Sequence, residues 1–108
     1  MYELFSDAMA DSQHQQYASS IEKLSAVMKT EPDSVPAHYL QGLNYYRIHE
    51  YPKSVSELER VVQLSPNYSL AVFQLGLAYD RVGNWDHAIQ TLRRALKLDA
   101  TNFSAAYD

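Results

Sequence analysis

The side chains best suited to chemistry are four histidines, a pair of glutamates and two arginines, and their spacing limits what they can do. A zinc site on a helix needs two histidines on one face at i, i+4 with further ligands close by. His14, His38, His49 and His87 never take that spacing, and none neighbours a pair of carboxylates suited to a metal. Glu57 and Glu59 lie two apart, and on a helix such side chains point in different directions, so they do not form an acid/base pair. The chain has no cysteine, hence no thiolate ligand, thiol nucleophile or disulfide. It also lacks a glycine-rich phosphate loop and a G-x-S-x-G elbow. We expect no enzyme, no metal and no cofactor. Arg47 and Arg81 remain as candidate partners for a carboxylate.

Composition narrows the partners. The 108 residues suffice for one domain with a modest core, and 46% hydrophobic content fits a soluble globular chain. The net charge is −4, and the acidic excess lies entirely in residues 1–34. No basic stripe is available for a phosphate backbone, which argues against nucleic acid. No apolar run approaches the ~18 residues of a membrane span, and "MYELFSDAMA" is not a signal peptide. A cytoplasmic location is expected.

The elements that must carry these residues follow from a repeat. Residues 35–68 set above residues 69–102, without gaps, match at Ala37/Ala71, Gly42/Gly76, Leu43/Leu77, Tyr45/Tyr79, Arg47/Arg81, Leu58/Leu92, Arg60/Arg94 and Leu64/Leu98. Chance gives about two such matches at average composition. Residues 1–34 fit the same frame: Ala8 joins Gly42 and Gly76, Tyr17 joins Tyr51 and Trp85, Ser20 joins Ser54 and Ala88, and Leu24 joins Leu58 and Leu92. A period of 34 sustained three times marks a repeat architecture. Apolar residues at helical spacing flank Gly83-Asn84, so each unit reads as helix–turn–helix. Pro52 suits the start of a second helix; Pro32 and Pro66 suit positions just past a helix end. The small columns mark where two helix backbones approach. The aromatic column Tyr17, Tyr51, Trp85 is expected to fill space, His38 to be packed, and His49 to cap its helix in a left-handed conformation. Asn67-Tyr68-Ser69 and Asn102-Phe103-Ser104 match the glycosylation pattern, but both fall at unit junctions and read as turns.

Val72, Leu75, Gly76, Tyr79, Ala88, Leu92 and Ala95 of the third unit, with Gly42, Tyr45, Leu58 and Pro66 of the second, resemble the tetratricopeptide repeat (TPR) signature. Departures are Ala100 for proline, Gln41 for leucine, Ser54 for alanine, and Asp7 and Asp11 at the leucine and tyrosine places of the first unit. The resemblance implies an all-α fold: an α-solenoid of antiparallel helix pairs in a right-handed superhelix with a concave groove. It covers one domain, 1–108, with units 1–34, 35–68 and 69–102, and residues 103–108 as the start of a fourth unit or a cap. Asp7 and Asp11 suggest a partly solvated N-terminal face. Leu92, Ala95 and Leu96 then lack a full cover, so the chain is expected to be cut from a longer array, or else to pack that end on another molecule.

By the same resemblance, first helices line the groove. Its inward places fall on Phe5, Met9, Tyr39, Leu43, Tyr46, Arg47, Phe73, Leu77 and Arg81, joined by Tyr2, Ser12, Gln13, Leu40, Gln74 and Asp80, with Tyr107 extending the surface. TPR proteins that hold acidic chaperone tails use a clamp of lysines, asparagines and an arginine. Those places hold Phe5, Met9, Leu40, Leu70 and Gln74 here, so no clamp is expected. The expected partner is an apolar or amphipathic segment of another protein, its register fixed by Arg47 and Arg81. Two alternatives stand beside it: nearby acids already satisfy the arginines, or the module self-assembles into a homo-oligomer through the concave face or the uncovered C-terminal end.

Overall fold

The computed structural model describes the backbone of residues 2–107 and the side chains of residues 3–99. Tyr2, Tyr107 and Asn102-Phe103-Ser104, named above, lie outside the described side chains. Six helices follow one another: α1 (Tyr2–Gln13), α2 (Tyr17–Thr30), α3 (Val35–Arg47), α4 (Tyr51–Leu64), α5 (Ser69–Arg81) and α6 (Trp85–Tyr107). Each packs mainly against its neighbours in sequence, and α1, α3 and α5 also touch in turn. This is an all-α helical repeat.

The turns explain one column of the repeat. Gln15, His49 and Gly83 occupy equivalent places and share a left-handed backbone, with φ of 63°, 65° and 82°. In each turn the next residue bonds back five positions, as in Gln16 N–H to Asp11 O (2.7 Å), Glu50 to Tyr45 (2.8 Å) and Asn84 to Tyr79 (3.0 Å). These bonds satisfy carbonyls that the helix end would otherwise leave open. His49 thus caps its helix as expected.

The small columns fix how the two helices of a hairpin cross. A Cβ on Gly42 would lie 2.7 Å from Leu58 Cγ, and one on Gly76 would lie 2.6 Å from Leu92 Cδ2. The serines of the facing column do more than stay small. Ser20 Oγ donates to the Ala8 carbonyl (2.7 Å), and Ser54 Oγ donates to the Gly42 carbonyl (2.8 Å). Ala88 has no hydroxyl to repeat this. Arg60 and Arg94 form a second recurring link: Arg60 reaches Asp33 Oδ1 and Arg94 reaches the Pro66 carbonyl, each at 2.5 Å.

Hairpins stack through two seams. Leu58 of α4 with Leu75, Ala78 and Tyr79 of α5 forms an apolar cluster that includes Ala88, flanked by Val55 and Val62. At the other seam Leu24 and Val27 of α2 meet Ala37 of α3, with Ala8 beneath. Here Gln41 and Asn44 are also buried. Asn44 donates to Ser20 Oγ and accepts from Ser12 Oγ, both at 2.8 Å. Gln41 Nε2 reaches the Ile21 carbonyl (3.2 Å) and Ser25 Oγ (3.3 Å), while Gln41 Oε1 is buried without a partner.

Three expectations need correction and one gains detail. Asp11, half-buried on the partly solvated N-terminal face, accepts from Ser19 Oγ and pairs with Lys23, both at 2.7 Å. The hydrogen bond from Lys23, aided by Ser19, holds its carboxyl below the usual range. Ser12 does not look into a groove, because its hydroxyl is spent on Asn44. Trp85 does not fill space; it is 67% exposed. Tyr51, its counterpart, is covered by Tyr46 and by Arg81 of α5, whereas no described helix lies over that side of α6. Finally, Asn102 sits inside α6 rather than in a turn. Pro32 and Pro66 follow the ends of α2 and α4, but an alanine at 100 keeps the backbone N–H that proline lacks, and the helix runs on.

Candidate partner-binding groove

Two clusters arise where α1, α3 and α5 lie side by side. The first is a cavity of about 350 Å³ lined by Phe5 and Met9 of α1, Val35, Pro36, Tyr39, Leu40 and Leu43 of α3, and Tyr68 at the mouth of α5. Phe5 and Met9 lie one helical turn apart, as do Tyr39 and Leu43, so each helix presents one apolar face. Ser34 caps α3 by accepting from Ala37 N–H (3.3 Å), which anchors the start of that helix. The rings of Tyr39 and Tyr68 meet at 5.0 Å with a tilt of 41°. Burial, with a smaller contribution from Tyr68, pushes the Tyr39 phenol upward.

The second cluster lies at the other end of the same helices. Arg81 Nε donates to the Tyr46 hydroxyl (3.2 Å), and its guanidinium stands 6.0 Å from the Tyr46 ring and 5.8 Å from the Tyr51 ring. Tyr46 meets Tyr51 edge-on at 5.3 Å, and His49 stacks on Tyr51 at 5.5 Å. The hydrogen bond that Arg81 donates to Tyr46 is the main influence raising the Arg81 pKa. Arg81 is thus held chiefly by the Tyr46 hydroxyl and the Tyr46 and Tyr51 rings, with a smaller influence from Asp80. Arg47 is exposed and pairs with none of the described residues.

Of the nine residues named from sequence, Phe5, Met9, Tyr39 and Leu43 share the cavity, and Tyr46 and Arg81 share the second cluster. Phe73, 44% exposed, and the half-buried Leu77 line neither. Tyr68 escaped sequence reasoning because the Asn-x-Ser pattern drew attention to its neighbours. Its signal was an aromatic residue directly after Pro66-Asn67, where the chain turns back towards the start of α3.

Several of the other titratable residues are engaged in local bonds. His38 Nδ1 meets Glu57 Oε2 and its Nε2 meets the Pro32 carbonyl, both at 2.6 Å. Tyr79 donates to Glu59 Oε2 (2.6 Å), and burial followed by that carboxylate raises its phenol. The two glutamates thus diverge. Among the described residues no cluster of three potential ligands could hold a metal, and no helix is long and apolar enough to cross a membrane.

Comparison with known proteins agrees with this architecture. A family model described as tetratricopeptide repeat matches residues 39–105. No curated protein matches the sequence. Among solved structures, MamA superposes with a TM-score of 0.87 at 22% identity, over 94% of this chain and 59% of that one. The chain therefore spans 59% of the length of that structure. The second TPR of Spaghetti, bound to the HSP90 peptide SRMEEVD, gives 0.86 at 18% identity over 90% of both chains. The Sgt2 TPR domain from Aspergillus fumigatus gives 0.84 at 18% identity, over 91% of this chain and 65% of that one.

Proposed function

The chain belongs to the tetratricopeptide repeat family, and on that premise we propose that it is a non-catalytic scaffold that binds an apolar or amphipathic segment of a partner protein along α1, α3 and α5. One observation carries the reading. Three of the five places where a carboxylate clamp would need polar or basic groups hold Phe5, Met9 and Leu40, and these line one apolar cavity. An acidic tail such as the SRMEEVD peptide of the Spaghetti structure would lay carboxylates on hydrocarbon there, leaving them desolvated and unpaired. A leucine, methionine or aromatic side chain would instead bury its surface against Tyr39, Leu43 and Tyr68.

The second cluster complements the first. Arg81, held by Tyr46 and Tyr51, keeps its other donors for a carboxylate on the same segment, and Arg47 adds an unpaired cation. A groove of this size supports micromolar affinity, about −8 kcal/mol.

The test is a random-peptide display selection on the whole chain, counter-screened on Met9→Glu and Phe73→Ser. Both residues are exposed, so neither change threatens the core. Peptides that carry an apolar anchor and are lost on Met9→Glu support the cavity as the binding site; loss on Phe73→Ser extends the groove to α5. No enrichment, or enrichment of acidic tails indifferent to both changes, overturns the reading.

A further inference from the structure

Tyr39, Leu43 and Tyr46 follow one another on α3 at intervals of four and three, a single stripe along the helix. Helix α3 touches α1 on one side and α5 on the other, so the stripe belongs to the middle of the stack. Tyr39 and Leu43 line the apolar cavity, and Tyr46 holds Arg81. Seven helical residues separate Tyr39 from Tyr46, a rise of about 10 Å. A ligand that uses both clusters must carry an apolar group and an acid that far apart on one face.

Each end of the stripe has its own chemistry. The cavity, about 350 Å³, exceeds the ~150 Å³ that holds a benzene ring, so it takes a leucine or an aromatic side chain. At the other end Arg47, next after Tyr46, is exposed and pairs with none of the described residues. Nearby acids do not cancel the two arginines: Glu50 is turned to Lys53 (4.0 Å), and Asp80 is a minor influence on Arg81.

The lining also selects the backbone of the ligand. Of the residues around the cavity, Tyr39 and Tyr68 alone carry a polar side-chain group. Two phenols cannot serve the successive N–H and C=O groups of an extended chain laid over hydrocarbon. A β-strand also returns to one face at about 7 and 13 Å, which misses the spacing. A polyproline II segment returns at about 9 Å but relies on water for its backbone. A helix satisfies its own backbone, and its positions i and i+7 share a face at the required rise.

Granted the groove function proposed above, we propose that its ligand is an amphipathic helix laid along α3, with a large apolar side chain in the cavity and an aspartate or glutamate seven residues away against Arg81 and Arg47.

Fluorescence anisotropy of dye-labelled peptides of about 18 residues, long enough to be helical, titrated with the whole chain, tests this. The peptides are rich in alanine and glutamine, with one central tryptophan and one glutamate either seven or five residues from it, on either side. Five residues turn the glutamate away from the tryptophan's face; seven bring it back. A seven-residue spacing, on the side set by the direction of the helix, should bind about fivefold tighter than five. Arg81→Gln should erase that preference while binding through the tryptophan persists. On Arg81→Glu, a lysine in place of the glutamate should recover it, a rescue that misfolding cannot imitate. Equal binding at both spacings, a preference indifferent to Arg81→Gln, or tighter binding when a central proline blocks the helix would overturn this inference and leave the apolar groove standing. Absence of binding by every peptide, or binding indifferent to Met9→Glu, would overturn the groove with it.

Discussion

The seam between α2 and α3 and the seam between α4 and α5 share one backbone arrangement but differ in chemistry. At the first, Gln41 and Asn44 of α3 are buried and bond to Ile21, Ser25, Ser20 and Ser12. At the second, the same places hold Leu75 and Ala78 of α5, and contact is apolar. Burying polar groups is tolerable only when each finds a partner in good geometry. Asn44 meets that demand; Gln41 Oε1 does not. The apolar seam gains by area alone and accepts small shifts. The same repeat geometry thus serves both as a directional joint and as a non-directional one, because the crossing of each hairpin is set elsewhere, by Ala8, Gly42 and Gly76.

The sharpest way to break this contrast is to make the second seam polar. Leu75→Gln should destabilise the chain by about 3 kcal/mol, from lost burial and an amide without prepared partners; equilibrium urea unfolding measures it. Asn44→Ala strikes the first seam. It removes both bonds to the serines and should cost about 2 kcal/mol, with hydrogen exchange rising first in α1 and α2. Gln41→Leu should act in the opposite direction. It removes the orphan oxygen and makes the first seam like the second, a gain of about 1 kcal/mol in the same urea assay; a loss would mean the amide bonds outweigh the orphan.

Two smaller effects depend on pH. The Tyr79 phenol is raised in the folded state, so its contribution is complete below its ordinary value of about 10 and fades as pH climbs beyond it. Tyr79→Phe should therefore flatten the alkaline side of a stability–pH curve. The Asp11 carboxyl is lowered, so its contribution is present above its ordinary value of about 4 and is lost as pH falls through the folded one. Asp11→Asn should flatten the acid side, and by the least of all, because the pair with Lys23 is solvent-screened.

What could be read from the sequence was whatever recurs. The period of 34, the small columns, the prolines and the left-handed place of His49 each repeat or break a repeat, and the helices obey them. Phe5, Met9, Tyr39 and Leu43 were legible as inward-facing because helical spacing gives a face. The Ser12–Asn44–Ser20 network was not, since its members lie in three helices and no spacing rule connects them. Tyr68 was missed because it precedes a helix instead of riding on one. Trp85 was misread because its column was assumed to have one environment, although burial of a second helix depends on what covers it.

The serine bonds inside the hairpins have a mechanical consequence. A hydrogen bond such as Ser20 Oγ to the Ala8 carbonyl or Ser54 Oγ to the Gly42 carbonyl loses its strength within a few tenths of an ångström of sliding. Dispersion contacts between apolar side chains can be exchanged one for another as surfaces shift. The first two hairpins are therefore pinned against shear. Among the described residues the third, with Ala88 in the place of these serines, is joined by packing of Leu92 on Gly76, the Tyr79–His87 ring contact and the Arg94 tether. Sliding within a hairpin is thus resisted by a directional bond in the first two and by packing in the third.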